Sequence, residues 1–459
     1  MKRLVFCFDG TTNKLAAVNP TNVVLMAESI LSTAPDGTPQ LVYYDEGVGT
    51  GKLDRARGTL FGVGLVTNLR EAYRFLIFNH EPDDEIFIFG FSRGAFTARS
   101  FAGFVRHVGI LDVNSAKEID RAIELYEAAM GADGDDHLDA LKFHAEHSSK
   151  VCVSEFDEDW RCENVDGFVQ EQSTKLNIKY VGVWDTVGAL GWPNVLPGAN
   201  WLNRSKGFHD VRLTSKVHSA RHALAIDETR KLFRPTMWGN VNELNSDKDI
   251  SPYDVDAPYQ QKWFPGVHSA VGGGGPERGL SDSAFSWILV GARRAGLEIS
   301  VAKNSRVFGV EPDYLSPLQN NPVRPFYERG VIGWLNRKLL HAPREGPTDI
   351  KDVSAFAFRR WSLKASDLPE DQEYRPKPLV RLSDEIDKLL SRLNKPRHDE
   401  LETKSVDFHL VKAGEDLPTI ADKYFNDVGR SNEIYELNLD LIDDPREIHP
   451  NWKLRLPLD

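Results

Sequence analysis

The stretch 85-EIFIFGFSRGAFTARSF-101 decides how the chain is read. It begins as an apolar strand and runs straight into a helix. At the join stand Gly90-Phe91-Ser92-Arg93-Gly94. A serine at such a corner is either an incidental turn hydroxyl or a nucleophile. In G-x-S-x-G hydrolases the serine sits on a strained strand-to-helix turn, and small flanking residues let the helix pack close beneath it. A strand before the motif and a helix after it favour the nucleophile.

Working outward, the same alternation recurs. Residues 3–8 (RLVFCF) read as a buried strand ending at Asp9-Gly10, and residues 22–31 carry helical spacing. LVYYDEG (41–47) reads as a second strand, followed by a helix over about 60–78. Further strands are read in 178-IKYVGVWDT-186 and 261-QKWFPGVH-268. Strands separated by helices predict an α/β fold with a doubly wound, mostly parallel sheet, its chemistry at the carboxyl ends of the strands. The charged, helical segment 383–405 reads as a linker between a catalytic domain (1–382) and a small unit (406–459).

Composition agrees with a globular chain: of 459 residues, 41% are hydrophobic and 27% charged. The net charge of −12 gives no support for a nucleic-acid partner. Three cysteines, Cys7, Cys152 and Cys162, form no metal spacing and no even-numbered disulfide framework, which points to a reducing compartment. The apolar run before Asp9 is too short for a signal peptide, and nothing approaches the roughly 20 apolar residues of a membrane span. The expectation is cytoplasmic synthesis, with any export independent of a signal peptide.

A serine needs a base, and the base needs an orienting carboxylate. In α/β-hydrolases the chain order is serine, acid, histidine. Asp185 and His268 each follow a predicted strand, in that order. Asp227, read within a helical pattern, and Asp282, read as a helix N-cap, compete for the acid's role and rank below Asp185. The oxyanion donors expected from topology are the N–H of Arg93 and an N–H from the loop after the first strand, at Gly10 or Thr11. Asp9 is a further supporting candidate, and a metal ligand with Asp45 is its alternative reading; the spacing demands no metal, and no cofactor is expected. His218 and His222 have i, i+4 spacing without the internal glutamate of a zinc-protease helix, and read as an ordinary helix face. Gly272–Gly275 lacks the lysine of a phosphate loop and reads as a tight turn beside His268. Trp192, Pro197 and Trp201 mark a segment that reads as either a flap or core.

FDGTTN (8–13), GFSRGAFTAR (90–99), GVWDTVG (182–188), HALAIDE (222–228), WFPGVHSAVGGG (263–274) and the closing YRPKPL (374–379) together resemble the first class of type VI secretion lipase effectors. The resemblance implies a serine phospholipase or related esterase, with Ser92 as nucleophile, His268 as base and Asp185 as acid. It leaves the secretion route open, a type VI-like route without a signal peptide being the candidate, with secretion machinery or an immunity protein as the partner it would imply. The chain departs from the family at Ala270, where members often carry aspartate. Residues 408–457 resemble a LysM domain, through strand–helix–helix–strand patterning, Asn438, Asp444-Pro445 and a closing Leu-Arg-Leu-Pro. That resemblance implies recognition of peptidoglycan or another N-acetylglucosamine-containing glycan, or else a purely structural module. The alternatives in function are a non-lipid esterase and a non-catalytic glycan-binding protein on a hydrolase scaffold.

Overall fold

The computed structural model of the chain describes residues 1–10, 17–47, 60–129, 137–188, 212–254, 257–300, 310–319, 340–394, 408–412, 414–438, 442, 444–449 and 452–457. Side chains on a strand alternate between faces, and here both faces are buried. In β1 (Arg3–Phe8), Leu4, Phe6 and Phe8 enter one core while Val5 and Cys7 enter another. In β3 (Glu85–Phe91), Ile86 and Ile88 join the first core, and Phe87, Phe89 and Phe91 join the second. Unbroken apolar runs of this kind are what a parallel sheet covered on both sides requires.

β1 and β3 belong to a six-stranded sheet with β2 (Gln40–Asp45), β6 (Ile178–Trp184), β7 (Val217–Ala225) and β8 (Tyr259–Phe264). The order is β2-β1-β3-β6-β7-β8, and every neighbouring pair is parallel. A separate parallel pair is formed by β4 (Val151–Cys152) and β5 (Thr174–Lys175). One face of the sheet is covered by α2 (Leu60–Asn79), α3 (Arg93–Val108) and α4 (Ile119–Ala129), through residues such as Leu69, Phe101 and Ile123. The other is covered by α1 (Asn22–Ser29) and the helix Gly279–Arg294, through Met26, Phe285 and Ile288. Winding reverses between β1 and β3, the place where such sheets open a crevice at their carboxyl ends.

Three expectations are corrected. HALAIDE is not helical: residues 222–225 end β7, so His218 and His222 lie on a strand and Asp227 follows it in a loop. Ala223, Leu224 and Ala225 are all fully buried in a central strand, and a short apolar run without alternation cannot be told from a buried helix by its period. Asp282 lies in the first turn of the helix Gly279–Arg294, where Arg278 holds the N-cap position. The first half of the helical segment read as a linker, Ser383–Asn394, is instead packed onto the larger body, with Ile386 and Leu390 buried against Trp361 and Leu379.

The last described residues form β9 (Phe408–Leu410), helices Leu417–Phe425 and Ser431–Leu437, and β10 (Lys453–Arg455), antiparallel to β9. They enclose their own core of Val411, Leu417, Ile420, Ile434 and Leu454. This unit touches the larger body: buried Asp444 pairs with Arg221 at 3.4 Å and with Arg294, and Trp452 packs on Phe356. Residues 189–211, with Trp192, Pro197 and Trp201, lie outside the described residues, as do Thr11 and residues 395–407.

Candidate active site

The elbow is built by glycine on both sides of Ser92. A Cβ on Gly90 would stand 2.5 Å from the Gly94 carbonyl, and one on Gly94 would stand 2.1 Å from the Phe8 carbonyl and 2.4 Å from that of Asp9. Only hydrogen fits there, so α3 starts hard against the end of β1. Ser92 itself takes φ 60° and ψ −121°, a conformation that L residues rarely adopt. Its N–H donates to the Trp184 carbonyl at 3.0 Å, and its own carbonyl accepts from Val187 at 3.2 Å. These bonds fasten the elbow to the end of β6.

Asp185 is the next residue after β6. It is fully buried, with φ 40°, and its N–H donates to Ala223 on β7 at 2.7 Å. His268 opens a short helix, His268–Gly272, after β8. Its Nδ1–H donates to Asp185 Oδ2 at 2.5 Å, and the Ser92 hydroxyl donates to its Nε2 at 2.8 Å. The His268 ring lies between Phe91, at 4.6 Å, and Phe233, at 4.8 Å. Its backbone N–H donates to Glu228 Oε2 at 3.3 Å. Gly272 lets this helix approach the elbow, since a Cβ there would stand 1.9 Å from the Phe91 ring.

Thus the structure brings Ser92, His268 and Asp185 into one hydrogen-bonded chain and places the two competing acids elsewhere. Asp227 accepts from the Gly266 N–H at 2.7 Å and from the Tyr374 hydroxyl at 2.9 Å, and burial pushes its carboxyl up to about 6. Asp282 accepts from Arg278 at 2.5 Å and from the Glu311 N–H at 2.9 Å. Ala270 is packed with Leu280 and Phe356, and a Cβ on Gly266 would stand 2.6 Å from its methyl group, so this position serves apolar packing.

Asp9 is buried beside the elbow. It accepts from the Gly10 N–H at 2.6 Å, the Thr21 hydroxyl at 2.7 Å and the Tyr44 hydroxyl at 2.9 Å. Its carboxylate therefore ties the end of β1 to Thr21 and Tyr44, and it takes up the Gly10 N–H that the sequence offered as an oxyanion donor. The Arg93 N–H stands at the first position of α3. Among the described residues no group of three or more histidine, cysteine, aspartate or glutamate side chains is arranged to hold a metal. No helix among them is long and apolar enough to cross a membrane.

Two supports of Asp185 and the turn after it are not evident in the sequence. His222 on β7 accepts the Thr186 N–H at 3.2 Å; burial, with the nearby Arg99, lowers its pKa to about 3, which keeps the ring neutral. Arg344 donates Nη1 to Asp185 Oδ1 at 2.6 Å and Nη2 to Oδ2 at 2.8 Å. Burial alone would raise the Asp185 carboxyl, yet Arg344 and His268 outweigh it and hold the group well below the usual carboxylate range.

The model of the family described as "T6SS, Phospholipase effector Tle1-like, catalytic domain" matches residues 2–290. An uncharacterised protein of Saccharomyces cerevisiae is 27% identical over 248 residues, covering 51% of this chain and 32% of that protein. The chain thus spans about a third of the length of this relative. An uncharacterised Pseudomonas aeruginosa protein of known structure shares 17% identity at a TM-score of 0.33, over 65% of this chain and 46% of that one. The Tle1 effector solved bound to the VgrG spike of the type VI secretion system shares 17% identity at a TM-score of 0.31, over 60% of this chain and 52% of that one. Ser92, Asp185 and His268 all fall inside the family match, and Arg344 lies beyond it. Matched over more than half its length, the chain belongs to the type VI secretion Tle1-like phospholipase effector family through that family's catalytic domain.

Proposed function

We propose that this protein is a serine hydrolase that cleaves acyl esters of lipids, a phospholipid being its substrate. The observation that carries the reading is the unbroken chain from the Ser92 hydroxyl through His268 to Asp185. Ser92 attacks the ester carbonyl while His268 takes its proton and Asp185 stabilises the imidazolium that forms. His268 then protonates the departing alcohol, and water enters by the same route to free the acid. The N–H of Arg93 at the start of α3 supplies one oxyanion donor and, with the Gly10 N–H taken up by Asp9, the Thr11 N–H supplies the other. Family membership supports a lipid over a small ester and export by a type VI secretion system.

The unit from 406 to 459 fits a LysM-like module in its strand–helix–helix–strand order and its separate core. Its ligand in this reading is an N-acetylglucosamine-containing glycan, bound independently of the chemistry. The hydrolase body then extends from residue 1 through the helix Ser383–Asn394.

A panel of phospholipids and short-chain soluble esters, run with wild type and Ser92→Ala, tests the proposal. Turnover of phospholipid that Ser92→Ala abolishes is the expected result. Residual turnover in a folded Ser92→Ala protein overturns the serine mechanism. Turnover of short esters alone overturns the lipid assignment.

A further inference from the structure

We propose that Arg344 is a positioning residue of the catalytic apparatus, forking the carboxylate of Asp185 and fixing the aromatic wall against His268. The inference rests on the serine-hydrolase reading above. Arg344 is buried, and its two terminal nitrogens make four hydrogen bonds. Nη1 donates to Asp185 Oδ1 at 2.6 Å and to the Ala225 carbonyl at 2.8 Å, and Nη2 to Asp185 Oδ2 at 2.8 Å and to the Phe233 carbonyl at 2.5 Å. One planar group thus joins the end of β6, the end of β7 and the segment whose Phe233 ring stands 4.8 Å from His268. Both carboxylate oxygens are held, so Asp185 cannot rotate away from Nδ1.

This arrangement has an electrostatic consequence that simple packing lacks. An acid facing a histidine alone leaves a net negative charge in the buried site, which favours the imidazolium. Here the guanidinium cancels that charge before reaction. Among the described residues, the other groups near the pair are Glu228, which accepts from the His268 N–H and is itself paired with Arg230, and His222 beside Thr186, which burial and Arg99 keep neutral. Removing the Arg344 cation leaves Asp185 as an uncompensated buried carboxylate against the ring. The ring is then protonated at higher pH, and the base required for attack disappears sooner as pH falls. A nearby charge typically moves such a titration by about 1–3 units.

The test is the rate at which a fluorophosphonate labels Ser92 across pH in the full chain, for wild type, Arg344→Gln and Arg344→Lys, with circular dichroism to establish folding. Arg344→Gln is expected to shift the acid limb upward by about one unit or more and to lower the plateau rate by about tenfold or more. Arg344→Lys, which keeps the charge but loses the fork, should keep the wild-type limb at a reduced rate. An unmoved limb in folded Arg344→Gln, whatever its rate, overturns the proposal. If Arg344→Gln does not fold, Arg344→Lys decides: a wild-type rate overturns the role of the fork, and a reduced rate with the wild-type limb supports it. Ser92→Ala runs alongside, and labelling of that variant would sink the serine reading itself rather than the role of Arg344.

Discussion

Asp185 has no contact with solvent, yet it must stay ionised and face one imidazole nitrogen. Ala225, Arg344 and His268 supply the donors that make this possible. Replacing it by asparagine puts an amide into a site built for two acceptors, and turnover should drop by about 10⁴, as it does when the triad acid of chymotrypsin-type proteases is changed in the same way. Asp227→Asn should leave turnover within a few-fold, because Asp227 serves Gly266 and Tyr374 and does not touch the His268 ring. It should instead change the pH dependence of stability. With its folded pKa pushed up to about 6, Asp227 holds a proton in the native state that the unfolded chain has already lost. Its contribution therefore falls as pH rises from about 4 to about 6, and denaturation of Asp227→Asn across that window should show a flatter slope. Reversed outcomes, a crippled Asp227→Asn and a mild Asp185→Asn, would exchange the two roles. Ser92, Asp185 and His268 are legible in the sequence because each follows an apolar run that reads as a strand. Arg344 is not: it sits in HAPREG, outside any periodic element, and acts on a residue 159 positions earlier.

At the scale of elements, the site depends on how closely α3 and the His268 helix approach the strands they follow. Gly94 makes a close approach of this kind. Gly94→Ala would drive a methyl into the Phe8 and Asp9 carbonyls, forcing α3 or the end of β1 to move. Overpacking of this kind costs about 1–3 kcal/mol, measurable by urea denaturation, and hydrolysis should fall with it because, in the proposed mechanism, the Arg93 donor and Ser92 stand at that boundary. Wild-type stability and rate in this variant would show that the elbow is looser than its geometry. Strand β3 and helix α3 are readable because one is a dense apolar run and the other has a helical period. Strand β7 escapes such reading because its last residues are small, apolar and buried on both sides, leaving no alternation to register. The helix Ser383–Asn394 is legible as a helix but not as part of the body: its charged outer face conceals the Ile386 and Leu390 stripe that packs onto Trp361 and Leu379.

For the whole molecule, the question is what the last unit contributes to the rest. Ser92, Asp185, His268 and Arg344 all precede it, so a chain ending at Asn394 should retain its rate on soluble esters. It should nonetheless melt at a lower temperature. Truncation leaves Arg221 and Arg294 without Asp444 and strips Trp452 from Phe356, and breaking buried ion pairs typically costs about 3–5 kcal/mol. Retention on purified cell wall should be lost with the truncation. Loss of turnover in a folded truncated chain, or equal wall retention by both chains, would show the division of labour to be drawn wrongly. The separate unit is foreseeable because it carries a complete hydrophobic pattern of its own. Its attachment is not, since Asp444 meets Arg221 across 223 residues of sequence.

The backbone of Ser92 has an evolutionary corollary. At φ 60° and ψ −121° the position suits glycine better than serine, and holding an L residue there costs on the order of 1–3 kcal/mol. Ser92→Gly should be inactive yet melt above wild type, whereas Ser92→Ala, which keeps the Cβ, should melt close to it. Selection for stability alone would thus erode the nucleophile, and only selection for turnover retains it. Relatives carrying glycine at this corner would be lineages released from that second pressure, their scaffold relaxed and their chemistry discarded.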